Sequence, residues 1–291
     1  MYLCPQIGKE KMADKTLTIN GRLVSLAKPW VMGILNVTPD SFYAGSRMQT
    51  EAAIDERIQT ILNEGGDCVD VGGYSSRQDA ADVTPEEEMR RLALALDLLN
   101  RHYPDLPVSI DTFRADVARR CVEQYGAAII NDIAGGGLDE AMFATVADLH
   151  VPYIMMHMRG TPQTMQQQTD YVDLVGEIMR YFAERVDRLH LMGVQDIILD
   201  PGFGFSKTLD QNYALMHHLK EFQLFELPLL VGVSRKSMIH KLLGGTPADS
   251  LNGTSVLHTY ALLQGANILR VHDVKAAVEA TRIVEKLMSS N

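Results

Sequence analysis

The chain has 291 residues, 46% of them hydrophobic, enough to bury a substantial core and near the upper end of what one domain holds. Its 27 basic and 37 acidic residues give a net charge of -10, which argues against a nucleic-acid or anionic-membrane partner; any anionic ligand must be held by a local cluster. Three scattered cysteines (Cys4, Cys68, Cys121), no Cys-x-x-Cys, no secretion-signal pattern in residues 1–15 and no membrane-length apolar run lead us to expect a soluble, cytoplasmic protein.

Residues 16–26, TLTINGRLVSL, alternate with period two on both sides of Asn20-Gly21, the pair a two-residue hairpin turn favours. Short apolar runs then recur: VMGILNV (31–37), CVDVGG (68–73), PVSIDT (107–112), AIINDI (128–133), PYIMMHM (152–158), DIILDPG (196–202), PLLVGVS (228–234) and ILRVHD (268–273). Amphipathic stretches such as EAAIDERIQTILNEGG and YVDLVGEIMRYFAERVDRLHLMG separate them, several ending at Gly as helices often do. Near-continuous apolar strands alternating with helices imply a parallel sheet covered on both faces. Eight such units without a Pro-, Gly- or Ser-rich linker favour a closed barrel over an open doubly wound sheet. The expected fold is α/β: one domain over 1–291, a (β/α)8 TIM barrel over about 30–288 with an N-terminal β-hairpin at about 16–26. The triple glycine 135–137 lacks dinucleotide-loop spacing and reads as a flexible turn.

Active sites of such barrels form at the C-terminal ends of the strands. Polar residues collect there: Asn36, Asp70, Asp111, Asn131 with Asp132, His157, Asp200, Ser234-Arg235-Lys236, and Arg270 with His272 and Asp273. One buried carboxylate can be satisfied by backbone amides, but seven or more converging polar positions are costly unless they serve a ligand. Arg235, Lys236, Arg270 and His272 come from the last two strands, where barrel enzymes frequently hold phosphate, and Ser234 is placed to cap the following helix. Asp111, Asn131 and Asp200 offer acceptors and one amide, which suits a flat heterocycle with adjacent N–H donors better than a metal cage. Two segments without helical pattern, TPDSFYAGSRMQ and YSSRQDAADVTP, read as loops that close on substrate.

Together GILNVTPDSF, DVGGYSSR, SIDTFRADVA, IINDIAGG, MHMRGTPQTMQ, ILDPGFGFSKT, LVGVSRKSMI and RVHDV resemble the dihydropteroate synthase family over about residues 30–285. The resemblance implies a transferase of folate biosynthesis that joins p-aminobenzoate to 6-hydroxymethyl-7,8-dihydropterin pyrophosphate, with Mg2+ on the diphosphate and a homodimeric assembly. It implies that Asp111, Asn131, Asp200 and Lys236 bind the pterin, and that Asn36, Arg270 and His272 bind the pyrophosphate, Asn36 also serving the metal. Ser234, Arg235, Ser76, Arg77, Phe42 and Phe205 are then the p-aminobenzoate residues. A pterin-binding methyltransferase domain is the alternative within the fold, but it has no reason to keep SRKS together with RVHD. The chain departs from the family's Gly-Glu-Ser-Thr-Arg-Pro at Gly73-Tyr74-Ser75-Ser76-Arg77-Gln78, so its p-aminobenzoate rim is expected to differ.

Overall fold

The computed structural model describes residues 15–38, 47–75 and 83–290, with backbone alone for 47–50. Strands β1 (Thr16–Ile19) and β2 (Arg22–Ser25) form the expected antiparallel hairpin, with Ile19 opposite Arg22. Asn20 and Gly21 carry φ of 48° and 73°, the left-handed pair that a two-residue turn demands.

The barrel strands are β3 (Trp30–Asn36), β4 (Cys68–Gly72), β5 (Val108–Asp111), β6 (Ile129–Asp132), β7 (Tyr153–Met156), β8 (Ile197–Asp200), β9 (Leu230–Val231) and β10 (Ile268–Val271). The helices are α1 (Arg47–Asn63), α2 (Pro85–His102), α3 (Ala115–Tyr125), α4 (Met142–Leu149), α5 (Leu174–Leu191), α6 (Leu209–His217), α7 (Ser237–Leu243), α8 (Leu251–Leu263) and α9 (Val274–Ser289). The strands pair in parallel in the order β8-β7-β6-β5-β4-β3-β10-β9. A parallel bridge between Leu199 and Leu229, with the Leu199 amide donating to the Pro228 carbonyl at 2.9 Å, joins β8 to the segment entering β9 and closes the ring. The fold is the (β/α)8 barrel that the βα rhythm implied.

Two cores follow from the period-two alternation of side chains along each strand. Val31, Val69, Val71, Ile110, Ile130, Ile197, Val231 and Leu269 pack outward against the helices. Met32, Cys68, Ile129, Ile154, Ile198, Leu230 and Ile268 fill the barrel interior, where the hairpin's Leu17 and Ile19 join them. The hairpin is thus a plug for one end of the barrel. Two residues beyond the interior layer on the same strands stand Asp70, Asn131, Asp200 and Arg270. Burial of the apolar layer therefore aims these polar groups at the other end.

Candidate active site

A cavity of about 760 Å3 opens at the C-terminal ends of the strands, within the range of small-molecule sites. Seven expected residues line it: Asn36, Asp111, Ser234, Arg235, Lys236, Arg270 and His272. Asn131 and Asp200 are buried outside this lining, at 3% and 5% exposure, and Asn131 is tied to it through Asp70 and Arg270. Asn131 donates Nδ2 to Asp70 Oδ2 at 3.0 Å, and Asp70 in turn accepts from Arg270 Nε at 2.6 Å. Arg270 Nη2 donates to Asp111 Oδ2 at 2.7 Å, so one guanidinium spans two carboxylates.

This arrangement sets the charges. Burial works against the Arg270 cation, but Asp70 and Asp111 outweigh it and hold its pKa above the ordinary value. Burial pushes the Asp111 carboxyl up to about 7, with Arg270 opposing and Asp70 reinforcing the shift. Burial also raises Asp200, which Lys236 partly offsets; its Oδ1 accepts the Gly202 amide at 2.8 Å. Lys236 is lowered by burial to about 8; it donates Nζ to the Phe203 carbonyl and stands 4.5 Å from the centre of the Phe205 ring. Phe205 thus joins the site through a cation–π contact. Burial and the Arg270 charge bring His272 down to about 4, so its imidazole is neutral near pH 7.

The Ser234 expectation needs correction. Helix α7 starts at Ser237, with Lys236 at its N-cap and no side-chain cap bond, because Arg235 turns the chain through φ 56° and Lys236 is extended. Ser234 lies before that turn and its Oγ accepts the His272 amide at 3.1 Å, lying 3.2 Å from His272 Nδ1. It links the ends of β9 and β10 instead of capping a helix. Arg235 forms a two-pronged pair with Asp273 at 2.6 and 2.8 Å. Both arginines of this end are thus already matched by carboxylates, a pairing that no local sequence pattern announces.

Other strand-end groups are structural. Asp132 points outward and accepts the Ala134 and Gly136 amides and the Tyr153 hydroxyl at 2.7–2.8 Å. It fixes the triple-glycine turn, which is packed rather than loose: a Cβ at Gly135, φ 53°, would lie 2.1 Å from the Tyr181 hydroxyl. His157 is 2% exposed, and its Nδ1 lies 3.1 Å from Lys207 Nζ, which also donates to the Gly202 and Phe205 carbonyls at 3.0 Å. Lys207 is not among the residues singled out in the sequence, where it appears only within ILDPGFGFSKT. Phe42, Ser76 and Arg77 lie outside the described residues.

Among the described residues no group of three His, Cys, Asp or Glu side chains could hold a metal ion. Asn36 offers one neutral oxygen at the cavity wall. Such a donor set fits Mg2+ that keeps its waters and arrives with a diphosphate, and does not fit an all-protein cage.

A family model for pterin binding enzymes matches residues 32–272. The dihydropteroate synthase of Escherichia coli (strain K12) is 42% identical over 276 residues, covering 94% of this chain and 97% of that protein. The structure of the Yersinia pestis dihydropteroate synthase with a sulfonamide drug complex is 40% identical and aligns with TM-score 0.85 over 95% of this chain and 100% of that one. The Xanthomonas albilineans dihydropteroate synthase solved with 4-aminobenzoic acid is 36% identical and aligns with TM-score 0.87 over 96% of this chain and 100% of the other. With the barrel, the strand-end constellation and this coverage in agreement, the chain belongs to the pterin-binding enzyme family, among the dihydropteroate synthases.

Proposed function

We propose that the chain condenses p-aminobenzoate with 6-hydroxymethyl-7,8-dihydropterin pyrophosphate to give 7,8-dihydropteroate and pyrophosphate, in the cavity at the C-terminal end of the barrel. The amine nitrogen bonds to the methylene carbon as the C–O bond to the diphosphate breaks, and the amine gives up a proton. The observation that carries this reading is the convergence of seven candidate side chains on one cavity.

A 2-amino-4-oxo pyrimidine edge presents two parallel N–H donors, which one carboxylate accepts as a pair. Asp200 suits this role: Oδ1 already accepts one amide, and Oδ2 has no hydrogen-bond partner among the described residues. Lys236 supplies the donor for ring oxygen and nitrogen, and Asp111 and Asn131 complete the slot. As the C–O bond opens, positive charge grows on the pterin beside these carboxylates, while negative charge grows on the diphosphate beside Asn36, Arg270 and His272. No side-chain nucleophile is required. Bound Mg2+ would neutralise diphosphate charge, with Asn36 as the protein oxygen nearest to that task. Ser234 and Arg235, which line the cavity, and Phe205 beside Lys236 are assigned to p-aminobenzoate.

The assembly is read as a homodimer in the cytoplasm. Support comes from apolar side chains left exposed on neighbouring helices: Leu243, Val256 and Leu263 on α7 and α8, Ile283 and Leu287 on α9. Sedimentation of Val256→Glu and Leu287→Glu checks it, a monomer being the expected shift. No described helix is long and apolar enough to cross a membrane.

The activity is tested by following pyrophosphate release with the pterin pyrophosphate, p-aminobenzoate and Mg2+. Release that needs all three is expected. Release without p-aminobenzoate, or none at all, would contradict the assignment.

A further inference from the structure

Tyr74 stands where the family pattern has a glutamate, immediately beyond β4, and it lines the cavity while only 9% exposed. Its ring meets Phe113, in the segment after β5, edge-on at 5.0 Å and 87°. The Arg114 guanidinium lies 5.3 Å from the Tyr74 ring and 4.9 Å from that of Phe113. Arg114 is itself anchored to the buried carboxylate of Glu88 on α2 and donates to the Val83 carbonyl at 2.7 Å. Across the mouth, Gln163 in the segment after β7 donates Nε2 to the Tyr74 hydroxyl at 3.0 Å. One side chain thus binds the segments that follow three different strands.

We propose that Tyr74 is a positioning residue that clasps Phe113 after β5 and Gln163 after β7 to the end of β4 and thereby fixes the wall of the mouth against which p-aminobenzoate stands. A glutamate at this position has no ring to place on Phe113, so the clasp belongs to chains with an aromatic residue there. The inference rests on p-aminobenzoate binding in this same cavity, as proposed above.

Tyr74→Phe keeps the ring and removes only the acceptor for Gln163. One lost hydrogen bond corresponds to roughly a two- to tenfold change. The KM for p-aminobenzoate is expected to rise by that factor in Tyr74→Phe and in Gln163→Leu, and in the double variant by less than the product of the two, because the single variants share one contact. The KM for the pterin pyrophosphate should stay at its unsubstituted value, which a merely structural role would not allow. An unchanged KM for p-aminobenzoate in Tyr74→Phe, a parallel rise for both substrates, or additive single effects would overturn the clasp. Ser234→Ala, measured alongside, separates the two levels. If it raises the KM for p-aminobenzoate while Tyr74→Phe does not, the clasp alone fails. If Tyr74→Phe shifts that KM and Ser234→Ala does not, the clasp stands and the Ser234 placement falls.

Discussion

Asp70 and Asp111 share the Arg270 cation, and Arg270→Met tests what that sharing does. Its side chain is 20% exposed, against 0% for Asp70 and 18% for Asp111, and its two contacts are 2.6 and 2.7 Å. Removing one partner of a buried ion pair costs about 3–5 kcal/mol, because a charge is left without compensation. Asp70 has little room to adapt, since its Oδ1 is buried and already lacks a hydrogen-bond partner among the described residues. Asp111 can adapt by taking up a proton. The expected loss is therefore about 3 kcal/mol, the lower end, or about 6–12 °C in Tm at roughly 2–4 °C per kcal/mol.

The pH dependence follows from the sign of the Asp111 shift. In the unsubstituted chain its folded pKa, about 7, lies above the unfolded carboxyl value of about 4. Its contribution to stability is complete at low pH and is lost as pH rises through about 7. Without Arg270, which pulls that pKa down, the folded value rises further. Above about 7 the variant then holds a proton that the unsubstituted chain has released. The Tm difference should accordingly be largest at high pH and shrink as pH falls toward 7. Thermal unfolding from pH 6 to 10 reads this directly. A Tm difference that is constant across the range, or absent, would refute the shared-cation reasoning.

His258 is buried in α8, its Nε2 has no hydrogen-bond partner among the described residues, and burial lowers its pKa to about 4; it stays neutral in the folded state while the unfolded imidazole protonates near 6.5. Stability should fall as pH drops from about 6.5 toward 4, and His258→Leu should flatten that acid limb in urea titrations at stepped pH. Lys207→Met orphans the Gly202 and Phe205 carbonyls, at about 1–3 kcal/mol each, and should lower Tm and raise the KM for p-aminobenzoate together, since Phe205 sits on the same loop. His272→Ala should raise the KM for the pterin pyrophosphate while calorimetry shows unchanged affinity for the bare pterin.

The strands were legible because each is a short apolar run, and the strand ends because the polar residue closing each run falls where such barrels gather their active sites. Asn36, Asp111, Asn131 and Asp200 stand at such positions. What could not be read was pairing across the barrel. Arg270 on β10 joins Asp70 and Asp111 on β4 and β5, and no local pattern marks residues 159 and 200 positions apart as partners. The Ser234 cap failed on one backbone angle: an arginine at φ 56° is rarely adopted and nothing in Ser-Arg-Lys-Ser announces it. Lys207 was hidden because its burial depends on how the segment after β8 folds back over His157. Tyr74 was visible as a departure from the family pattern, but Gln163, its partner, was not.

Calorimetric titration of a 6-hydroxymethyl pterin without the diphosphate into Asp200→Ala and the unsubstituted chain tests the central claim most directly. Asp200 is the buried acceptor assigned to the pterin's paired donors. Its loss leaves those donors unsatisfied in a dry slot, at roughly 1–3 kcal/mol per group, or about a 5- to 150-fold weaker Kd. Equal affinity in the two proteins would mean that the pterin does not lie on Asp200, and the site as drawn would be wrong.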